Sequence, residues 1–145
     1  MRESIGFGVL LLCVVGCNSM PRIRQVTYTG SDFAFQGPDT VAAGPTRFRF
    51  KNAGSVNHEL ALALLRPGVT GAQALAAELS GADVDSVYEA DGLLYLPLGE
   101  QVDMSLAIDL QPGRNYVLMC TLDAGNRKTP HVQLGMFKSL TVLTR

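Results

Sequence analysis

The amino-acid sequence predicts an all-β domain: a Greek-key antiparallel β-sandwich of about seven strands with one short helix inserted mid-chain. Three observations predict it. Short runs alternate apolar and polar residues with period two, as half-buried strands do, and Gly, Pro and Asn turn signals separate them. Leu110-Gln-Pro-Gly-Arg-Asn-Tyr116 resembles the corner of Greek-key sandwiches, where a tyrosine hydroxyl bonds back to nearby backbone. Residues 70–80 alone have helical composition. With 145 residues, 47% of them apolar and 17% charged, the chain suits one globular domain and not a disordered one. The net charge of −1, with no basic run beyond Arg22 and Arg24, gives nucleic-acid binding no electrostatic support.

The first residues read as an export signal. Arg2 supplies the positive start, and Ile5 to Val15 form an apolar stretch too short to span a bilayer. That stretch ends in Val14-Val-Gly-Cys17, which resembles the lipobox of bacterial lipoproteins, with Val14 where Leu is more usual. The resemblance implies cleavage before a lipidated Cys17 and anchoring at the bacterial cell envelope, on the periplasmic face of a membrane or the cell surface. It divides the chain into a signal over 1–16, a lipidated N-terminus and tether over 17–30, and the sandwich domain over 31–145.

Each element has its own signal. Arg24 to Thr29 suits a first short strand, and Phe33 and Phe35 alternate with small or polar residues until Gly37-Pro38-Asp39 breaks the run. After Ala43-Gly44-Pro45, Phe48 and Phe50 alternate with Arg47, Arg49 and Lys51. Asn52-Ala-Gly-Ser55 is a turn, and beyond it His58, Leu60, Leu62 and Leu64 share one parity, with Glu59, Ala61 and Ala63 on the other. If the leucines face the core, so does His58, at the rim. Thr70 is placed to cap a helix with Gln73 as its capping-box partner. Residues 81–90 read as a connecting loop whose acids Asp83, Asp85 and Glu89 are solvated. Val102 to Leu110 alternates most regularly, Pro112-Gly113 fits a type II turn, and Tyr116, Leu118 and Cys120 share an inward parity. Met136 to Leu143 forms the last strand, with Met136, Leu140 and Val142 on one face.

The chain has only two histidines, His58 and His131, and three cysteines. Cleavage at Cys17 removes Cys13, and lipidation occupies Cys17, which leaves Cys120 without a disulfide partner in an oxidising compartment. Histidine, cysteine, histidine and Met136 follow in the order of a blue-copper ligand set: two imidazoles and a thiolate, with a weak thioether. Singly, each has an ordinary reading. His58 suits a strand-end histidine bonded to backbone, His131 a surface residue, Cys120 a small buried hydrophobe, and Met136 core filler.

Tyr116-Val-Leu-Met-Cys120, His131-Val-Gln-Leu-Gly-Met136 and the earlier Asn52-Ala-Gly-Ser-Val-Asn-His58 together resemble the cupredoxins, the blue-copper family of plastocyanin and azurin. The likeness spans residues 31–145. It implies one type 1-like copper held by His58, Cys120, His131 and Met136, single-electron transfer with a redox partner protein, no catalytic residues and a monomeric state. Ten residues separate Cys120 from His131, where the family usually has two to four. Asp123-Ala-Gly-Asn126 is placed to turn the excess into an excursion, but a loop of this length is expected to hold His131 less tightly. Glu59 stands where plastocyanins often have Asn, so the bond that steadies the cysteine loop is expected to differ or be missing. A metal-free module of the same fold that docks a partner, and a copper carrier, are the alternatives. The chain has no Ser-His-Asp spacing, no phosphate loop and no H-E-x-x-H, so nothing points to an enzyme.

Overall fold

Alternation of buried and exposed residues builds two sheets that close on one apolar layer. The computed structural model describes residues 22–96, 105–124 and 128–144. Among them are nine strands: β1 (Arg24–Ser31), β2 (Ala34–Gln36), β3 (Thr40–Ala42), β4 (Gly44–Asn52), β5 (His58–Leu65), β6 (Tyr88–Leu96), β7 (Ser105–Leu110), β8 (Asn115–Met119) and β9 (Phe137–Leu143). One sheet has the order β2-β1-β4-β7 and the other β3-β9-β8-β5-β6. Tyr28, Phe48 and Phe50 from the first meet Leu60, Leu62, Leu118 and Leu140 from the second, all buried.

Three features depart from the sequence expectation. The strands number nine, not about seven, because β2 and β3 are three-residue edge strands on either side of Gly37-Pro38, too short to show a period. The sheets are mixed, not purely antiparallel: β1 runs parallel to β4, and β3 parallel to β9. Parallel neighbours cannot be joined by a tight turn. Here the chain leaves β1, turns back through β2, crosses to the other sheet as β3, and returns as β4 alongside β1. Strand β1 is thus integral to the sandwich, and the tether drawn over 17–30 gives way to the domain at Arg24.

The segment over 81–90 is only partly a loop. A 3-10 turn at Val84–Ser86 is capped by Asp83, and β6 begins at Tyr88. Exposed Glu89 and Asp91, followed by Gly92, conceal that strand from its pattern. Glu89 pairs with Arg114 at 2.6 Å.

Helix α1 (Gly71–Ser80) has the expected capping box: the Gln73 N–H donates to Thr70 Oγ1, and the Thr70 N–H to Gln73 Oε1. Its buried Ala74 packs with Ala61, Ala63, Leu65 and Val117 on the outer face of β5 and β8. Every residue of β5 is therefore buried, so the parity of Glu59, Ala61 and Ala63 faces the helix side and not water. The Tyr116 hydroxyl accepts from the Gln111 N–H at 3.2 Å, and Gly113 has φ +70°, as a type II turn requires. Residues 102–104 of the expected strand, and the signal segment with Cys17, lie outside the described residues. No helix among the described residues is long and apolar enough to cross a membrane.

Candidate metal centre

Antiparallel pairing of β5 with β8 and of β8 with β9 brings the start of β5, the end of β8 and the start of β9 to one end of one sheet. His58 opens β5, Cys120 follows the last residue of β8, and Met136 precedes β9. His131 opens a 3-10 turn, His131–Leu134, between them. His58, Cys120 and His131 are 0%, 0% and 1% exposed. Their ligand atoms lie within 4.8 Å of one another. His58 Nδ1 and His131 Nδ1 are 3.1 Å apart, and His131 Nδ1 is 3.2 Å from Cys120 Sγ. Donors at these separations fit a single transition-metal ion with bonds of about 2.0–2.3 Å.

Met136 is wholly buried beside them. Its N–H donates to the His131 carbonyl at 3.0 Å, and its carbonyl accepts from the Cys120 N–H at 3.2 Å. Its terminal methyl lies against Gly30, where a Cβ would come within 3.0 Å. Three of the four predicted residues thus converge through their side chains, and the fourth is tied to two of them through backbone.

The long segment between Cys120 and His131 does not leave the histidine loose. The His131 N–H donates to the Leu122 carbonyl at 2.8 Å, Asp123 and Pro130 form a β-bridge, and the Ala124 N–H donates to Thr129 O at 3.0 Å. The Asp123–Pro130 bridge and the Ala124–Thr129 bond draw the two arms of this segment together next to the site. The Val132 N–H reaches back to the Cys120 carbonyl at 2.8 Å. His131 is thus tied through its own N–H and through Val132, where the loop length alone predicts a slack ligand.

Glu59 decides between the two outcomes expected of it: the bond differs and is not missing. Its buried carboxylate Oε1 accepts from the Thr121 N–H at 2.7 Å and the Thr121 hydroxyl at 2.6 Å. The bond across the cysteine loop is present, made by Glu. The Glu59 N–H also donates to Cys120 Sγ at 3.4 Å.

Two residues that sequence reasoning missed come from the turn between β1 and β2. Asp32 Oδ1 accepts from His58 Nε2 at 2.7 Å, while its Oδ2 accepts from the Ser55 N–H at 2.8 Å and from the Ser55 hydroxyl. Phe33 lies over His131 with ring centroids 4.7 Å apart and meets His58 edge-on at 6.2 Å. A turn aspartate and an alternating phenylalanine are indistinguishable in sequence from ordinary hairpin residues, so no local signal marks them.

The electrostatics follow from burial. The Ser55 hydroxyl and N–H, with His58, hold the Asp32 carboxyl down at about 2. Desolvation raises the Cys120 thiol, and desolvation followed by the proximity of His58 lowers His131. His131 Nε2 is buried without a hydrogen-bond partner. Such a group costs about 1–3 kcal/mol, a cost that functional sites commonly carry. Burial thus favours the neutral forms of Cys120 and His131, and the cluster is a set of donors held dry and close.

No family model and no curated protein sequence matches the chain. Solved structures share its architecture. A reduced auracyanin from the photosynthetic bacterium Roseiflexus castenholzii superposes with a TM-score of 0.54 at 18% identity, covering 83% of this chain and 97% of that one. Auracyanin A, a "blue" copper protein from Chloroflexus aurantiacus, gives 0.51 at 19% identity, covering 81% and 97%. The fold is the cupredoxin fold. An azurin from Methylomonas sp. strain J adds a third example, with a TM-score of 0.50 at 15% identity over 84% and 98% of the two chains. At these identities the likeness establishes the cupredoxin fold alone, and the residues above must carry the chemistry.

Proposed function

We propose that this protein is a one-copper electron carrier of the bacterial cell envelope, held to a membrane through a lipidated Cys17. The observation that carries the reading is the convergence of His58 Nδ1, Cys120 Sγ and His131 Nδ1 in a buried cluster within 4.8 Å. Met136, buried and bonded through its backbone to both Cys120 and His131, is the candidate weak fourth ligand. Two imidazoles, a thiolate and a thioether suit copper better than zinc, which rarely takes a thioether. Bound copper would supply a single-electron couple, its two oxidation states served by a donor set of mixed softness.

The chain's own residues do the rest. The sheet ends fix Cys120 and His58, and the backbone bonds to Leu122 and Cys120 fix His131, so the donors need not rearrange between states. Phe33 and the buried surroundings exclude water. Four protein ligands leave no position for a substrate, which favours a carrier over an enzyme. A redox partner exchanges the electron at the envelope. Auracyanin A, which shares the fold, is a "blue" copper protein, and this supports copper as the metal.

The test is optical. Purified protein given one equivalent of Cu(II) turns intensely blue, and Cys120→Ser abolishes the colour. A colourless wild-type protein with no tight copper overturns the reading. Cys17→Ala releases the protein from membranes; release failure removes the lipid anchor.

A further inference from the structure

His58 and His131 look equivalent in sequence but are supported differently. The outer nitrogen of His58 is bonded to a carboxylate at 2.7 Å, whereas the outer nitrogen of His131 is buried with no partner. Asp32 is itself anchored. Its second oxygen takes two hydrogen bonds from Ser55, on the turn that leads into β5. That turn passes so close that a Cβ on Gly54 would lie 2.2 Å from Asp32 Oδ1 and 2.4 Å from His58 Nε2. The β1–β2 turn, the β4–β5 turn and the histidine are thus locked into one unit.

We propose that Asp32 is a positioning residue for this centre: it fixes the His58 ring with Nδ1 inward and, by its charge, biases a bound copper toward the oxidised state. This rests on the copper reading above. A carboxylate accepting from Nε2 keeps the proton there, so the Nδ1 lone pair points at Cys120 and His131. A negative charge on the far side of the ring strengthens the nitrogen as a donor. It stabilises a doubly charged ion more than a singly charged one, because the interaction scales with the ion's charge. His131 lacks such a partner, so its ring is not fixed in this way.

The experiment compares wild type with Asp32→Asn, which removes the charge, and Asp32→Leu, which also removes the acceptor. Cu(II) and Cu(I) affinities and the midpoint potential are measured on the loaded proteins. Ring 15N shifts are measured on the metal-free ones. Asp32→Asn is expected to weaken Cu(II) about 10–100-fold and Cu(I) less. The midpoint then rises by about 59 mV for each tenfold difference between the two losses. Metal-free wild type shows His58 protonated at Nε2, and Asp32→Leu shows both tautomers. Equal losses in the two oxidation states, or none, overturn the charge effect while leaving the copper reading intact. Wild type that takes up no copper overturns the functional reading and, with it, the redox bias; the ring shifts then decide the positioning role, which falls if both proteins show one tautomer. Where Asp32→Leu does not fold, Asp32→Ala, which also lacks the acceptor, serves for the ring shifts.

Discussion

Replacing Gly54 by alanine drives a methyl group into the Asp32–His58 hydrogen bond. The added carbon would sit 2.2 Å from Asp32 Oδ1, 2.4 Å from His58 Nε2 and 2.9 Å from His58 Cδ2, where ordinary contact is 3.4–4 Å. Both partners must retreat by more than about 1 Å, which takes a 2.7 Å bond past the reach of a hydrogen bond. Three terms set the stability change. Overpacking costs about 1–3 kcal/mol. Loss of a charge-assisted bond costs about 1.5–3 kcal/mol, discounted because the Asp32 side chain is 27% exposed. The reduced freedom of the unfolded chain returns about 0.4–1 kcal/mol. With the bond discounted by about half, the net is about 1–4 kcal/mol, or roughly 4–16 °C in the melting temperature of a domain this size. Thermal melts of the metal-free protein check the first figure. Titration with Cu(II) against a chelator checks the second expectation, a loss of affinity of about 10–100-fold. Because Gly54→Ala and Asp32→Ala act on one bond, the double variant loses less than the sum of the two. Additive losses, or a melting temperature and Cu(II) affinity equal to wild type, would refute the reasoning.

Further outcomes follow from the same geometry. Glu59→Ala strips the Thr121 N–H and hydroxyl of their acceptor and lowers the melting temperature by about 4–12 °C; Glu59→Gln, which still accepts, recovers most of it. Copper uptake strengthens about tenfold per pH unit near neutrality, since burial raises the Cys120 thiol and the proton must leave; chelator competition between pH 6.5 and 8 reads the slope. Burial depresses His131, so its contribution to metal-free stability is complete above about pH 6.5 and is lost as pH falls toward its folded value; denaturant midpoints across pH 4–7 show the decline. Met136→Leu keeps copper but raises the midpoint potential, because the oxidised ion loses a donor; an unchanged potential removes Met136 from the ligand set.

What the sequence disclosed, and what it withheld, divides along physical lines. Strand ends were legible wherever a sheet keeps one face wet, as with Phe48 and Phe50 in β4, and the parity of Leu118 and Cys120 put the thiol inside before any coordinates. The scarcity of histidine and thiol made the site itself legible, since few other residues could form it. Alternation failed for β5 because α1 covers its outer face, and sequence period cannot report burial on two sides. It failed for β2 and β3 because three residues hold no period. Asp32 stayed hidden for a different reason: it lies 26 positions from His58 and meets it only through tertiary folding. Glu59 looked like a departure from a family pattern, yet a longer side chain reaches the same kind of backbone donor.

The bonds at Leu122, Asp123 and Pro130 separate two properties that a short ligand loop would bind together. Those bonds stand between His131 and any sequence change made beyond them. An insertion beyond the Ala124–Thr129 bond is therefore expected to disturb His131 less than one inside it. Substitution at the base, by contrast, would pull on His131 directly.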